Sequence, residues 1–220
     1  MQETEVLRMT EMEVKRLVTL RMLEEFAAKS VYYIPAAVSN RHIHLSQEAL
    51  DALFGKGYTL TPFKPLSQPG QFACEEKLTF VGPKSRFDGI RILGPVRSAT
   101  QVEISLTDAY GLGVKPVVRM SGDIKDTPGG KLIGPKGEYD LSSGVIIAQN
   151  HLHASKEQAA WYGLKDGDLI CVRKRGVRTV VFENVLVRAG DAHSLELHFD
   201  TDEANAALIG NGDLLDLVRS

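Results

Sequence analysis

The chain has 220 residues, enough to bury a sizeable core in one large or two small domains. Its composition, 43% hydrophobic and 25% charged, is that of an ordinary folded protein, and a net charge of −2 provides no broad positive field for nucleic acid or anionic membranes. Two cysteines are too few for a disulfide framework and favour a reducing, cytoplasmic compartment. Because there is no run of 18 apolar residues, and because charges interrupt the first 16 positions, we expect neither a membrane span nor a secretory signal.

Residues 4–28 are predicted to form an amphipathic helix, because Val14, Val18, Met22 and Phe26 recur every four residues between charged positions. The helix precedes the rest of the fold as an appendage. Two interpretations stay open. It either packs on the body of the protein or on a second subunit, or it is a targeting or docking peptide for a larger assembly.

From residue 36 onward the sequence indicates short strands separated by turns that contain Gly and Pro. The predicted strands are Lys77–Val81, Gly89–Leu93, Gln101–Leu106, Val114–Arg119, Gly144–Ala148, Leu169–Arg173, Thr179–Val187 and Leu195–Phe199. Residues 61–76 and 121–143 are polar and rich in Gly and Pro, so we expect loops there. Many short strands with few helices favour barrels or a sandwich.

One internal repeat is built on paired histidines. Residues 42–48 read HIHLSQE and residues 151–157 read HLHASKE, 109 positions later. Alternate residues of a strand lie on one face, so each His-x-His pair can bind one metal ion. Two pairs predict two metals, or one metal and one anion. After each pair a short helix is expected, at 46–54 and 155–162, with Ser46 and Ser155 as N-caps.

Other side chains are candidates for the same chemistry. His198, in HFDTDE, is a further potential ligand, whereas His193 lies in a predicted turn and is interpreted as a surface residue. Glu103 lies between apolar neighbours on a predicted strand, and a buried carboxylate needs a partner, either a metal ion or a nearby arginine. Arg91 and Arg97 carry planar guanidinium donors suited to phosphate, although solvated surface positions are equally compatible with the sequence.

Neither cysteine is predicted to be a nucleophile. Cys171 lies within a predicted strand, where a small apolar side chain is expected, and Cys74 precedes two acids that would raise its pKa. The sequence has no Walker loop and no dinucleotide-binding glycine motif.

Five motifs in consistent order resemble the PduL-type phosphate propanoyltransferases, the phosphotransacylases of bacterial microcompartments. They are Val38–Ser46, Leu66–Ala73, Leu93–Arg97 with Gln101–Glu103, Arg119–Asp123 and His198–Asn205. The resemblance covers roughly residues 36–216. It implies two small β-barrels, bound zinc, and reversible conversion of an acyl-CoA and phosphate to an acyl phosphate and CoA.

The resemblance also implies roles for individual side chains. Six would hold two zinc ions per chain, in sets of three: His42, His44 and Glu103, and His151, His153 and His198. Four would line the path of CoA: Ser39, Lys64, Arg91 and Asn205. Arg97 would be the catalytic residue that binds phosphate. Asn150 precedes the second histidine pair where the family usually has arginine, which alters the contacts around that site but not its ligands.

The expected fold is mainly β, with two small β-barrel domains, short capping helices and an N-terminal amphipathic helix. We expect a helical segment at 1–30, a discontinuous first barrel at 31–40 and 149–220, and a second barrel at 41–148. The expected partners are propanoyl-CoA or acetyl-CoA, phosphate, a second copy of the chain and, through the helix, microcompartment shell proteins. Neither nucleic acid nor a membrane is expected.

Two alternatives compete with this interpretation. A zinc-dependent hydrolase would release CoA without forming an acyl phosphate. A structural or shell-associated protein would use fully ligated zinc only to hold its barrels together.

Overall fold

The computed structural model describes residues 10–219, and within them the prediction of a mainly β protein is confirmed. The chain divides into two compact units. The first comprises the chain up to Ala37, His151–Leu197 and the chain from Gly210; the second comprises Val38–Asn150 and His198–Ile209. No helix among the described residues is long and apolar enough to cross a membrane.

Six strands of the described part of the chain form a closed barrel. Their bounds are β1 Tyr33–Ser39, β11 His151–Ala154, β12 Leu169–Lys174, β13 Val180–Ala189, β14 Glu196–Asp200 and β15 Leu214–Val218. Around the barrel the order is β1-β14-β11-β13-β12-β15. β1 pairs antiparallel with β15, where Ile34 lies opposite Leu215, and both side chains are completely buried. Pairing of an early strand with the last one joins distant parts of the chain.

The second unit contains a nine-stranded sheet. Its strands are β2 His42–His44, β3 Pro62–Pro65, β4 Phe72–Val81, β5 Arg86–Gly94, β6 Gln101–Glu103, β7 Val118–Arg119, β8 Gly130–Ile133, β9 Glu138–Leu141 and β10 Val145–Ala148. The order is β7-β10-β6-β2-β5-β4-β8-β9, with β3 beside β4. The sheet is a curled half-barrel, and no pairing between its described strands closes it.

Both long segments predicted as loops contain strands. Residues 61–76 include β3 and the start of β4, and residues 121–143 include β8 and β9. β3 carries a proline at each end and is exposed throughout, so neither propensity nor alternation revealed it. β8 and β9 form a hairpin closed by the hydrogen bond from Gly134 N to Gly137 O, 2.9 Å long.

Five helices lie among the described residues: α1 Glu11–Ala28, α2 Gln47–Phe54, α3 Leu106–Leu112, α4 Lys156–Trp161 and α5 Thr201–Ala207. Ser46 and Ser155 are N-caps, as predicted. Ser155 also forms a capping box with Gln158: the Ser155 N–H donates to the Gln158 side chain, and the Gln158 N–H donates to the Ser155 hydroxyl. This capping box was not predicted from the sequence. α3 and α5 were not predicted.

Helix α1 is confirmed over Glu11–Ala28, and residues 4–9 of the prediction lie outside the described part of the chain. The side that it buries is not the predicted stripe. Leu23 and Ala27 are buried, while Val18 and Met22 remain 53% and 51% exposed. α1 packs against α4 of the same unit, so this helix has one packed side and one open apolar side.

Candidate active site

The pairing of β2 with β6 assembles the first set of candidate ligands. Antiparallel register places His42 opposite Glu103 and His44 opposite Gln101. The Glu103 carboxylate lies 3.5 Å from His42 Nε2 and 3.8 Å from His44 Nε2, and all three side chains are buried. Their donor atoms lie within 4.8 Å of one another. The sequence analysis predicted either a metal ion or a nearby arginine as the partner of Glu103. In the structure, the Glu103 carboxylate faces the two histidines.

Backbone carbonyls orient both imidazoles. His42 Nδ1 is 2.8 Å from the Asn40 carbonyl oxygen, and His44 Nδ1 is 3.2 Å from that of Leu93. A nitrogen beside a carbonyl oxygen must donate, so the neutral rings direct their Nε2 lone pairs toward Glu103. Two imidazole nitrogens and one carboxylate oxygen, supported in this way, are a donor set that zinc accepts.

The three groups also shift one another's pKa. Burial opposes charge on His42, but the Glu103 carboxylate and the Asn40 carbonyl outweigh it and raise the pKa of His42. Burial, with the nearby charges of His42 and Arg97, lowers the pKa of His44 to about 3. Glu103 is buried as well, yet the two histidines and Ser121 hold its pKa well below the usual range. Glu103 is therefore ionised and His44 neutral at neutral pH, which are the forms that bind metal, whereas the raised pKa of His42 favours a proton that a metal ion would have to displace.

A hydrogen-bond network joins this set to Arg97. The Ser121 hydroxyl donates to Glu103 Oε1 at 2.9 Å, and Arg97 donates to the same hydroxyl at 3.2 Å. The Gln101 amide donates to Glu103 at 2.6 Å and accepts from the backbone N–H of Gly122 at 2.7 Å. Sequence reasoning gave Ser121 and Gln101 no role, although Gln101 shares the face of Glu103 by strand alternation.

Arg97 is held close to the first histidine motif by its backbone. Its N–H donates to the Leu45 carbonyl at 2.8 Å, and Arg97 forms an isolated bridge with Ser46. The side chain is half-buried. The structure thus places a permanent cation beside the first ligand set, through local contacts within one unit.

The second set of candidate ligands lies on neighbouring strands of the closed barrel. His151 and His153 are on β11 and His198 is on β14, with donor atoms within 4.8 Å of one another. The Nε2 atoms of His151 and His153 are 3.0 Å apart. Two unprotonated nitrogens at that distance repel each other unless a cation or a shared proton lies between them, so this arrangement also fits a metal.

His193 contradicts its interpretation as a surface residue. It lies in the turn before β14, as predicted, but it is half-buried and its ring centroid is 4.5 Å from that of His153. A turn position carries no periodicity, so the sequence provided no signal for this contact.

The four residues predicted to line the CoA path lie in different elements. Arg91 donates to the Cys74 carbonyl, and its guanidinium lies 4.9 Å from the ring centroid of Phe63 on β3. Lys64 is exposed on the same strand. The other two are Ser39, half-buried at the end of β1, and Asn205, exposed on α5.

Both cysteines lie within strands and are at least partly shielded from solvent. Cys74 is completely buried, and this burial, with the charge of Glu76, raises its pKa to about 11. Cys171 is half-buried within β12.

The mainly β fold thus holds two sets of side chains that could bind a metal ion, and one set lies beside an arginine. The sequence model of the phosphate propanoyltransferase family matches residues 35–210. A phosphate propanoyltransferase of Thermotoga maritima is 52% identical over 84% of this chain and 89% of its own length. One of Sebaldella termitidis is 44% identical over 96% of this chain and its whole length, and one of Citrobacter rodentium is 51% identical over 79% and 83%.

The chain therefore belongs to the phosphate propanoyltransferase family, and it is a transferase of the acyltransferase class.

Proposed function

We propose that this enzyme interconverts a short-chain acyl-CoA and phosphate with an acyl phosphate and CoA, and that it uses two zinc ions per chain. Propanoyl-CoA and acetyl-CoA are the proposed acyl donors. The observation that carries this proposal is the shared hydroxyl of Ser121, which contacts both Glu103 and Arg97. Through it, a candidate metal ligand and a candidate phosphate-binding cation belong to one network.

The first zinc ion would be held by His42, His44 and Glu103. Three protein ligands leave a coordination position for a substrate, and zinc bound there would supply Lewis acidity and affinity for the departing thiolate. The Asn40 and Leu93 carbonyls would keep both imidazoles in the tautomer that binds metal.

Arg97 would bind and orient the phosphate. Its guanidinium offers planar paired donors, and orientation of the nucleophile lowers the barrier without any covalent contribution from the protein. In the forward direction a phosphate oxygen forms a bond to the thioester carbonyl carbon, the C–S bond breaks, and CoA leaves as the thiolate. The burial of Cys74 supports direct transfer, without an acyl-enzyme on that thiol.

The remaining site residues complete the proposal. His151, His153 and His198 would hold the second zinc ion. Four side chains would contact CoA along its path: Ser39, Lys64, Arg91 and Asn205. The stacking of Arg91 on exposed Phe63 supports a contact surface for a nucleotide there, because aromatic and guanidinium planes both stack on bases.

A thiol-release assay tests the reaction. Protein purified without a polyhistidine tag is mixed with propanoyl-CoA or acetyl-CoA, with and without phosphate, before and after treatment with a chelator. We expect thiol release that depends on phosphate, is lost on chelation and returns with zinc. Thiol release at the same rate without phosphate would instead indicate a hydrolase.

We also propose that α1 binds microcompartment shell proteins, which would place the enzyme inside such a compartment. The outward positions Val14, Val18 and Met22 form an exposed apolar stripe that supports this role. Co-purification of shell proteins with the wild-type chain, and its loss in Val18→Glu, is the expected result. Retention by Val18→Glu would exclude the stripe as the contact.

A further inference from the structure

His193 contacts a candidate ligand without being one. Its ring lies 4.5 Å from that of His153, centroid to centroid, inclined by 40°. At this second site, the donor atoms that lie within 4.8 Å of one another belong to His151, His153 and His198. His193 therefore meets the second metal set through the ring of His153.

The turn that carries His193 is closely fitted. The His193 N–H donates to the Gly190 carbonyl at 3.0 Å, and the Gly190 N–H donates to Ala154, the residue after His153, at 3.0 Å. A Cβ added to Gly190 would lie 3.3 Å from His193 Cδ2, which is closer than ordinary contact. The imidazole thus rests against the Gly190 backbone on one side and against His153 on another, so its position depends on that of the turn.

Helix α1 anchors the other end of this turn. Arg16 donates to the Ser194 hydroxyl at 2.8 Å and lies 3.8 Å from the Glu196 carboxylate. Both partners are largely shielded, with Ser194 9% exposed and the Glu196 side chain 13% exposed. The Leu195 N–H between them donates to Gln158 of α4 at 2.7 Å. The N-terminal helix therefore contacts the segment that leads from His193 into β14.

We propose that His193 and Arg16 are positioning residues for the second metal site. Arg16 holds the turn, and the His193 ring keeps the His153 imidazole in the orientation that brings its Nε2 to 3.0 Å from that of His151. The inference rests on the proposed function, which places a zinc ion at this site. Residues that orient a metal ligand typically contribute 10–100-fold to metal affinity.

The test measures zinc affinity by competition with a chromogenic chelator, in a His44→Ala background that removes the first site. His193→Ala should weaken zinc binding about tenfold or more. His193→Phe keeps a planar ring without a donor nitrogen and should stay close to the parent. Arg16→Ala should weaken binding severalfold. Arg21→Ala is the matched control, because Arg21 is 71% exposed and pairs with Glu24 on its own helix.

The outcomes separate the two proposals. If the His44→Ala parent binds no zinc, the proposed second zinc site is wrong. If the parent binds zinc and His193→Ala binds it equally well, the positioning role of His193 is wrong.

If His193→Phe binds zinc as weakly as His193→Ala does, packing of the ring is excluded as the cause, and the imidazole acts instead as a hydrogen-bond donor. Melting temperatures of the metal-free variants identify loss of fold. If His193→Ala proves unstable, His193→Leu replaces it: this side chain fills space without a planar ring, so it should also weaken zinc binding, and parent-like affinity in His193→Leu would contradict the positioning role. Equal affinities of Arg16→Ala and Arg21→Ala would remove α1 from the account.

Discussion

Asn150 donates a hydrogen bond of 2.7 Å to Glu203, and Arg41 makes the corresponding contact to Asp108. Arg41 and Asn150 each precede the first histidine of a repeat. Asp108 and Glu203 are the third residues of α3 and α5, and each completes a capping box. The replacement of arginine by asparagine in the second repeat therefore preserves a contact to the same helix position, with one amide in place of a guanidinium.

The internal repeat thus extends beyond the histidine motifs. Glu103 and His198, the third members of the two ligand sets, each lie two residues before a capping residue, Ser105 or Asp200. The strings EISLTD and HFDTDE match in this respect but share no residue type at the ligand position. The duplication is visible in the structure because corresponding positions make corresponding hydrogen bonds although their residue types differ.

This relationship predicts unequal stability losses. In Arg41→Ala the buried Asp108 carboxylate loses a bidentate partner, which should cost about 1–2 kcal/mol of unfolding free energy. Asn150→Ala removes one neutral donor and should cost about 1 kcal/mol or less. Urea unfolding measures both. The control is Arg86→Ala, an arginine that is 64% exposed and pairs with exposed Asp88. A loss in Arg41→Ala no larger than in the control would contradict the role assigned to that ion pair.

The hydroxyl of Ser121 should matter for activity. Ser121→Ala removes a donor to the ionised Glu103 and an acceptor for Arg97, so turnover should fall about tenfold or more while the protein stays folded. Ser98→Ala, an exposed serine beside Arg97 in sequence, is the control and should retain normal turnover. Equal rates for the two variants would remove Ser121 from the site.

Arg97 and Arg91 should separate the two substrates. Arg97→Lys keeps the charge but loses the paired donors, so the KM for phosphate should rise, or turnover should fall, about tenfold. The KM for acyl-CoA should change little. Arg91→Lys should show the reverse, because Arg91 stacks on Phe63. If Arg97→Lys instead weakened acyl-CoA and left the phosphate dependence unchanged, Arg97 would serve the nucleotide end.

Glu203 should make stability depend on pH. Burial raises its pKa to about 7, against the hydrogen bond from the Asp200 backbone, while the charge of Asp200 adds to the increase. Between about pH 5 and 7 the folded state keeps a proton that the unfolded chain has lost, so stability decreases as the pH rises through this range and levels off above it.

Glu203→Gln should remove this dependence. The advantage of the variant over wild type should grow from pH 5 to pH 8, by an amount on the order of 3 kcal/mol for such a shift. Glutamine can keep the helix cap, as Gln158 does for Ser155. Urea unfolding at several pH values measures the difference. A difference that does not vary with pH would show that Glu203 ionises normally.

The features that were predicted best from the sequence are those that depend on residues close together along the chain. The histidine pairs were found because alternation in a strand is a short-range pattern. Glu103 lies opposite His42 only because β2 and β6 pair, so its place in the set came from the family resemblance and not from spacing. Ser121 and His193 lie in turns, where position depends on hydrogen bonds to distant elements.

Predictions for whole helices, strands and domains had mixed success. The apolar stripe of α1 was recognised, but the helix buries Leu23 and Ala27 instead, because small and apolar positions on that side allow close contact with α4. The closed barrel and the curled sheet agree with the expected class, whereas a segment such as β3 was missed because its prolines read as turn signals. The proposed domain bounds of 1–30, 31–40 with 149–220, and 41–148 stay a prediction.

Metal content should follow the two ligand sets. Protein purified without a polyhistidine tag should contain about two zinc ions per chain by elemental analysis, because the donors form two sets of three. His44→Ala should contain about one, and Cys74→Ala should be unchanged as the control. An active preparation with reproducibly no metal would exclude zinc from the mechanism.

Phosphorus NMR of the reaction products tests direct transfer to phosphate. With propanoyl-CoA or acetyl-CoA and inorganic phosphate, the phosphate resonance should decline as an acyl phosphate resonance grows, with one acyl phosphate formed for each thiol released. Free carboxylate and free CoA with the phosphate signal unchanged, in enzyme that has its metal, would contradict acyl transfer to phosphate and establish hydrolysis in its place.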